Sequence, residues 1–215
     1  MYIQHYNIVT PLGFDLPTTA RLLLRERSAI ARYPMYGQLT DVCLSKIGDG
    51  AIENRFQQVV ERNDFSRLEK LLLLAIAPIF HKIKITPRTA LILSSTKGNI
   101  SALANGDSAP LLSTLAQKMA NAIGVTTTPI VVSNACVSGA MVLSVADRLL
   151  KADAYDSAIV LAGDEISEFV LSGFQSFQAM SPKPCKPYDA TRDGITLGEA
   201  TAAVYVSKQA QGAKA

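Results

Sequence analysis

Short apolar and β-branched runs along this chain alternate with longer stretches of helical spacing. Residues 2–9, YIQHYNIV, read as a first strand, and Pro11-Leu12-Gly13 ends it. Asp15 or Thr18 then opens a helix running to about Arg27. Residues 28–64 are expected to be irregular, with glycine and proline punctuation and the polar run IGDGAIENR. Ser66 and Glu69 fit a capping box for a long helix to about Lys82, because a serine and a glutamate three residues apart satisfy exposed amides reciprocally. Pro87 precedes a second strand, Thr89–Ser94, and a Ser- and Gly-rich loop, SSTKGNIS, follows it. Leu111, Leu112, Leu115, Met119 and Ile123 mark an amphipathic helix that stops at Gly124. Pro129–Ser133 is a short third strand and residues 137–151 are helical. Ser157–Ala162 is a fourth strand, Glu165–Gly173 a short helix and Ala200–Ser207 a last strand. With no repeat and no linker, this alternation predicts one α/β domain over residues 1–215, its sheet carrying helices on both faces.

Composition narrows the classes. Hydrophobic residues make up 48% and charged ones 18%, a globular balance in a chain of 215 residues. A net charge of +3, 7% aromatics and no basic run alternating with aromatics argue against nucleic acid as a partner. The opening MYIQHYNIVTPLG lacks the basic segment and apolar stretch of a signal peptide. The longest apolar run, Leu71 to Ala77 continuing past Pro78 to Phe80, is about half a membrane span, so no membrane partner is expected. Cys43, Cys136 and Cys185 are few and widely spaced, no CxxC is present, and there are only two histidines. That pattern predicts no metal site and a reduced, cytoplasmic compartment. SSTKGN lacks the GxxxxGKS/T pattern of a phosphate loop, and no cofactor is expected.

One stretch holds the candidate chemistry: VVSNACVSGAMVL, residues 131–143. A lone cysteine in an apolar run usually behaves as a small buried hydrophobe. Cys136, however, falls at a strand-to-helix turn, at or just before the first helical residue. Backbone N–H groups there are unpaired and the helix dipole is positive, an environment that lowers a thiol pKa from about 8.5. The geometry matches the elbow of hydrolytic serines, where a sharp turn pushes the nucleophile outward, and Ser138 and Gly139 keep the turn narrow. The helix that follows carries no charge until Asp147, so it is expected to be buried on nearly every side. Asp189, Arg192, Asp193 and Glu199 are polar groups in an otherwise apolar C-terminal third, read as a hydrogen-bonded and ion-paired brace for the elbow. Gly194 and Gly198 fit tight turns or close backbone approach there.

The chain resembles the N-terminal half of a β-ketoacyl-acyl-carrier-protein synthase, with the thiolase-like fold. NIVTPLG is similar to that family's opening strand and turn, SSTKG to its loop after the second strand, and NACVSG to its active-site signature. AIVLAGDE resembles its fourth strand, SGFQSFQAMS the segment lining its acyl pocket, and KPYDATRDGITLGEATAAVYV its C-terminal block. Order and spacing together carry the resemblance. Asn134 and Val137 depart from the usual Thr and Ala, Tyr188 from Phe, and Ala200 from a common glycine.

The resemblance implies a mixed five-stranded sheet in the order 3-2-1-4-5, counting the five expected strands along the chain. It implies that Cys136 takes an acyl group from a carrier-protein thioester, with its own backbone N–H as one donor of the oxyanion hole. Phe174 and Phe177 line an acyl tunnel or simply pack in the core. The family's second half supplies two histidines, a lysine and another donor. This chain ends at SKQAQGAKA, about where the halves would join, so condensation is expected to need that second half. His5 and His81 lie in no family motif. Expected partners are an acyl carrier protein thioester, a second copy in a homodimer, and a C-terminal half or full synthase subunit. A non-catalytic scaffold that pairs with a full synthase or carrier protein, and a remnant that folds without activity, stay open as alternatives.

Overall fold

The computed structural model describes residues 1–60, 64–105 and 111–210. Its main sheet has five strands: β1 (Tyr2–Val9), β4 (Thr89–Ser94), β5 (Ile130–Val132), β6 (Ser157–Asp164) and β8 (Ala200–Ser207). They lie in the order β1-β8-β6-β4-β5. β4 is parallel to β5 and β6, while β8 runs antiparallel to both β6 and β1. The α/β class and the mixed five-stranded sheet are as expected, but the order 3-2-1-4-5 is corrected to 3-2-4-5-1. The reason lies in β1 itself. A central strand of this sheet is apolar on both faces, as SAIVL at the start of β6 is, and all five of those residues are buried. β1 carries Tyr2, Gln4, His5 and Asn7 among its apolar residues, and its N-terminal half is largely exposed, so it fits an edge.

Residues 28–60 are more regular than expected. β2 (Ala31–Tyr36) and β3 (Leu39–Ser45) form a hairpin, and α2 (Asp49–Phe56) follows. Tyr36 faces Leu39 across a two-residue Gly37-Gln38 turn, and Gly37 takes φ +60°. That left-handed backbone is open to glycine and suits the twist of a hairpin. β7 (Leu197–Gly198) adds to β3 to make a second, three-stranded sheet. Residues 61–63 of the 28–64 stretch, and 211–215 of the terminal SKQAQGAKA, lie outside the described residues.

Helices cover both faces of the main sheet. α3 (Arg67–Phe80) lies across β1, β6 and β8, with α4 (Leu112–Ile123) beside it on β4 and β5. Its start is the expected capping box: Ser66 N donates to Glu69 Oε2 at 2.7 Å, and Glu69 N donates to Ser66 Oγ at 3.3 Å. α1 (Leu16–Leu23) is capped by Asp15 and touches β1. On the opposite face α5 (Ser138–Lys151) packs on β4, β5 and β6. It was expected to be buried nearly all round. Instead Ser138, Val142, Ala146 and Leu150 form its one buried row. α6 (Glu168–Ser176), capped by Ser167 three residues later than the sequence suggested, closes the set.

Candidate active site

Cys136 sits where β5 gives way to α5. Ala135 takes φ +44°, a left-handed conformation that a non-glycine residue adopts at a cost of about 1–3 kcal/mol. Residues Ala135–Val137 then form a single 3-10 turn that runs straight into α5. Ser138 closes this elbow from inside. Its Oγ accepts from Asn134 N at 2.8 Å and donates to the Ala135 carbonyl at 2.7 Å, with the residue 6% exposed. The tight inner bonds leave Cys136 exposed on the outside. No side chain caps α5, and the Cys136 N–H donates no hydrogen bond among the described residues. The elbow therefore offers, from the same residue, a thiol that can attack a carbonyl carbon and one unengaged amide that can donate to the resulting oxyanion.

The thiol opens onto a groove of about 440 Å³ at the C-terminal edge of the main sheet. Thr10, Ser94, Thr96, Gly163, Asp164 and Gly198 are among its walls, and no histidine is. Gly163 must be bare: a Cβ there would lie 2.4 Å from Thr201 Cγ2 and 2.7 Å from the Ala200 carbonyl. Ser94 is 2% exposed, and its hydroxyl has no partner among the described residues. A second, more enclosed cavity of about 160 Å³ shares Thr96, Asp164 and Gly198 with the groove and is closed by Val170, Phe174 and Leu197. Asp164 ties the wall between them. Its Oδ1 accepts from Ser95 Oγ at 2.8 Å, Thr96 N at 2.8 Å and Thr96 Oγ1 at 2.9 Å, fixing the loop after β4.

Beneath the C-terminal edge lies a buried ionic node. Glu199 accepts from Arg67 at 2.6 and 2.7 Å in a two-pronged pair, from Ile47 N at 2.6 Å and from Ile166 N at 2.9 Å. One carboxylate thus joins α3, the segment between β3 and α2, and the segment after β6. Burial works against the Arg67 charge, but Glu199 and Asp49 outweigh it and hold the guanidinium's pKa above its ordinary value. Glu165 is buried beside it, with Oε2 unpartnered and 3.9 Å from Arg67 Nη1. Desolvation pushes the Glu165 carboxyl up, and Ser101 and Arg67 only partly offset it. Burial likewise pushes the Tyr36 hydroxyl up to about 12.

The residues singled out in the sequence fall in different places. Gly198 lines both cavities, Phe174 closes the smaller one, and Glu199 forms the ionic node. Gly194 has φ +141°, and a Cβ on it would meet Ser181 N at 2.5 Å, so it lets that loop pass close. Asp189 and Arg192 are exposed, and their hydrogen bonds stay within residues 186–192. Asp193 accepts from Ser181 Oγ at 2.7 Å. Phe177 is 83% exposed. His5 stacks on Tyr205 in the β1–β8 pair. Ser138, expected to keep the turn narrow, does so through its hydroxyl, while sequence reading missed Asp164 as the loop anchor and Arg67 as the partner of Glu199. An arginine in the charged first turn of a helix that is apolar from Leu71 on was the available signal for the last. Among the described residues no group of three or more His, Cys, Asp and Glu is placed to hold a metal, and no helix is long and apolar enough to cross a membrane.

Sequence and fold comparisons agree on the class of protein. The model of the β-ketoacyl synthase N-terminal domain matches residues 6–212, and the chain belongs to that family. No curated protein matches it in sequence. A ketosynthase solved in complex with its chain length factor, from Xenorhabdus doucetiae, superposes with a TM-score of 0.78 at 22% identity, over 98% of this chain and 58% of that one. A β-ketoacyl synthase from Burkholderia phymatum gives 0.69 at 18% identity, over 95% and 58%. The ketosynthase from module 6 of the bacillaene synthase of Bacillus subtilis gives 0.74 at 18% identity, over 96% and 39%. The chain therefore spans between about two fifths and three fifths of these relatives' lengths.

Proposed function

We propose that this chain is the nucleophile-bearing half of a ketosynthase-type acyltransferase of fatty acid or polyketide biosynthesis. The observation that carries the reading is the elbow: an exposed Cys136 with a free backbone amide, opening onto a groove. The Cys136 sulfur attacks the carbonyl carbon of a carrier-protein thioester. A new carbon–sulfur bond forms, the carrier's carbon–sulfur bond breaks, and the thiol proton ends on the departing carrier thiol. The cysteine thereby splits one hard transfer into two easier ones. The Cys136 N–H steadies the oxyanion, a donor typically worth about 2.7–4 kcal/mol. The acyl chain then lies toward Phe174 and the smaller cavity.

No histidine lines the groove among the described residues, and we assign the acid–base groups of decarboxylative condensation to a second half or partner subunit. The unburied flank of α5 and the edge strand β5 are the surfaces for that half and for a second copy. Three free cysteines suit a reducing compartment, the cytoplasm. Incubating the full chain with a simple acyl thioester and mapping the adduct by mass spectrometry tests the reading. One acyl mass on the Cys136 peptide, lost in Cys136→Ala, is expected. Labelling spread equally over Cys43 and Cys185, or none, would overturn it.

A further inference from the structure

Asp164 does more in this site than anchor a loop. Its Oδ1 takes the three short hydrogen bonds from Ser95 and Thr96, and Lys97 N approaches the same oxygen at 3.4 Å. Oδ2 accepts none among the described residues. The residue is half-buried and lines both the Cys136 groove and the Phe174 cavity. A chain leaving Cys136 for that cavity passes it, because Thr96, Asp164 and Gly198 are the walls the two spaces share. A saturated chain laid there strips water from a carboxylate oxygen and returns no hydrogen bond, which is costly. A hydroxyl or amide N–H returns a charge-assisted bond, among the stronger kinds. A second anionic group is repelled.

We infer that the acyl group this site selects carries a hydrogen-bond donor close to its thioester end, received by Asp164 Oδ2. The buried and unpartnered Ser94 hydroxyl in the same walls adds to the polarity of a groove that a plain alkyl chain would leave unsatisfied. The inference rests on the acyl-transfer reading above, and the transfer step is the same: the Cys136 thioester forms, the donor thioester breaks, and the donor leaves as its thiol.

The N-acetylcysteamine thioesters of butanoic and 3-hydroxybutanoic acid test it, with the appearance of the acyl mass on Cys136 timed for the full chain. The hydroxyacyl donor is expected to react roughly tenfold faster, the lower end of what a hydrogen bond to a charged group is worth. Asp164→Asn keeps an acceptor for Ser95 and Thr96 but puts a neutral NH₂ group in place of Oδ2, so the charge-assisted bond is lost and the ratio should fall to a few-fold at most. Equal rates in the wild type overturn this inference and leave the acyl-transfer reading standing. A tenfold ratio that survives in Asp164→Asn overturns the role of Asp164. Reaction with neither thioester removes the acyl-transfer reading and this inference with it.

Discussion

On one face of the main sheet, α3 is buried without a break from Leu68 to Ile76, its charged Glu69 and Lys70 included. On the other, α5 buries four residues spaced by four and leaves Gly139, Ala140, Met141 and Ser144 exposed. Both helices read as largely apolar. The difference is what lies above them. α2 and α4 pack on α3, Lys118 pairs with Glu69 at 2.7 Å, and Lys70 pairs with Glu53. α5 packs downward on β4, β5 and β6, with the turn that carries Cys136 at its start, and among the described residues no other helix packs on it as α2 and α4 do on α3. An apolar pattern therefore states that a surface is to be covered and leaves open by what. The finished face holds most of the buried core, and the unfinished one carries the Cys136 elbow.

The largest effects should come from the finished face. Arg67→Ala leaves Glu199 and Glu165 without their cation in a buried site. Breaking a buried pair in this way costs about 3–5 kcal/mol. Leu72→Ala, at a fully buried position of α3, should cost about 2–5 kcal/mol through lost burial and the cavity left behind. Urea unfolding followed by circular dichroism measures both. If either variant unfolds at the wild-type midpoint, the stability of the domain resides elsewhere than in the α3 face.

The parts legible from sequence were those fixed by near neighbours. The Ser66–Glu69 box closes within four residues, and β4 and β8 have the expected bounds because continuous apolar runs end at polar turns. The Cys136 elbow was legible for the same reason: strand, cysteine, small residues and helix follow one another directly. The place of β1 was not, since strand order is decided by pairing between residues as distant as Tyr2 and Ser207. The β2–β3 hairpin was missed because ARYPMY mixes a proline and exposed positions and lacks a clean alternation. Arg67 and Glu199 stand 132 positions apart, so nothing local linked them. Asp164 reads as the polar end of a strand until Ser95 and Thr96 fold back onto it.

A smaller effect separates the ionic node from the rest of the finished face. Burial raises the Glu165 carboxyl above its ordinary value of 4.5. For a group whose folded value is raised, the stabilisation is fully present below the unfolded value and is lost as pH rises through the folded one. At neutral pH the native state thus bears the cost of a buried carboxylate whose nearest cation is 3.9 Å away. Glu165→Gln should raise Tm at pH 7, and the gain should vanish as pH falls to about 4.5. A gain that is constant across that range would show that packing, and not charge, is what the substitution changed.

The smallest effect on stability, and the one most informative about the unfinished face, is expected from Met141→Lys. Met141 is 37% exposed on the outer flank of α5. The flank is continuous with bare sheet: the N-terminal amine lies 3.5 Å from Asp147 on α5, and β1 carries Tyr6, 56% exposed, opposite Val204 of the α5-side cluster. A lysine there loses little burial, so the unfolding free energy should change by no more than about 0.5 kcal/mol. Association should change much more. Soluble monomers rarely leave a continuous apolar patch beyond a few hundred Å² uncovered. Covering roughly 300 Å² at about 25 cal/mol/Å² is worth on the order of 7 kcal/mol before association costs. The wild-type chain alone should therefore self-associate at micromolar concentration and bind a hydrophobic dye, and Met141→Lys should weaken both. Val131→Lys, on the β5 edge, is the control that separates edge pairing from cover for α5: it should reduce association and leave dye binding in place. A wild-type chain that scatters light as a monodisperse monomer and binds no dye would mean that the α5 face is finished as it stands, and the contrast between the two faces would lose its meaning.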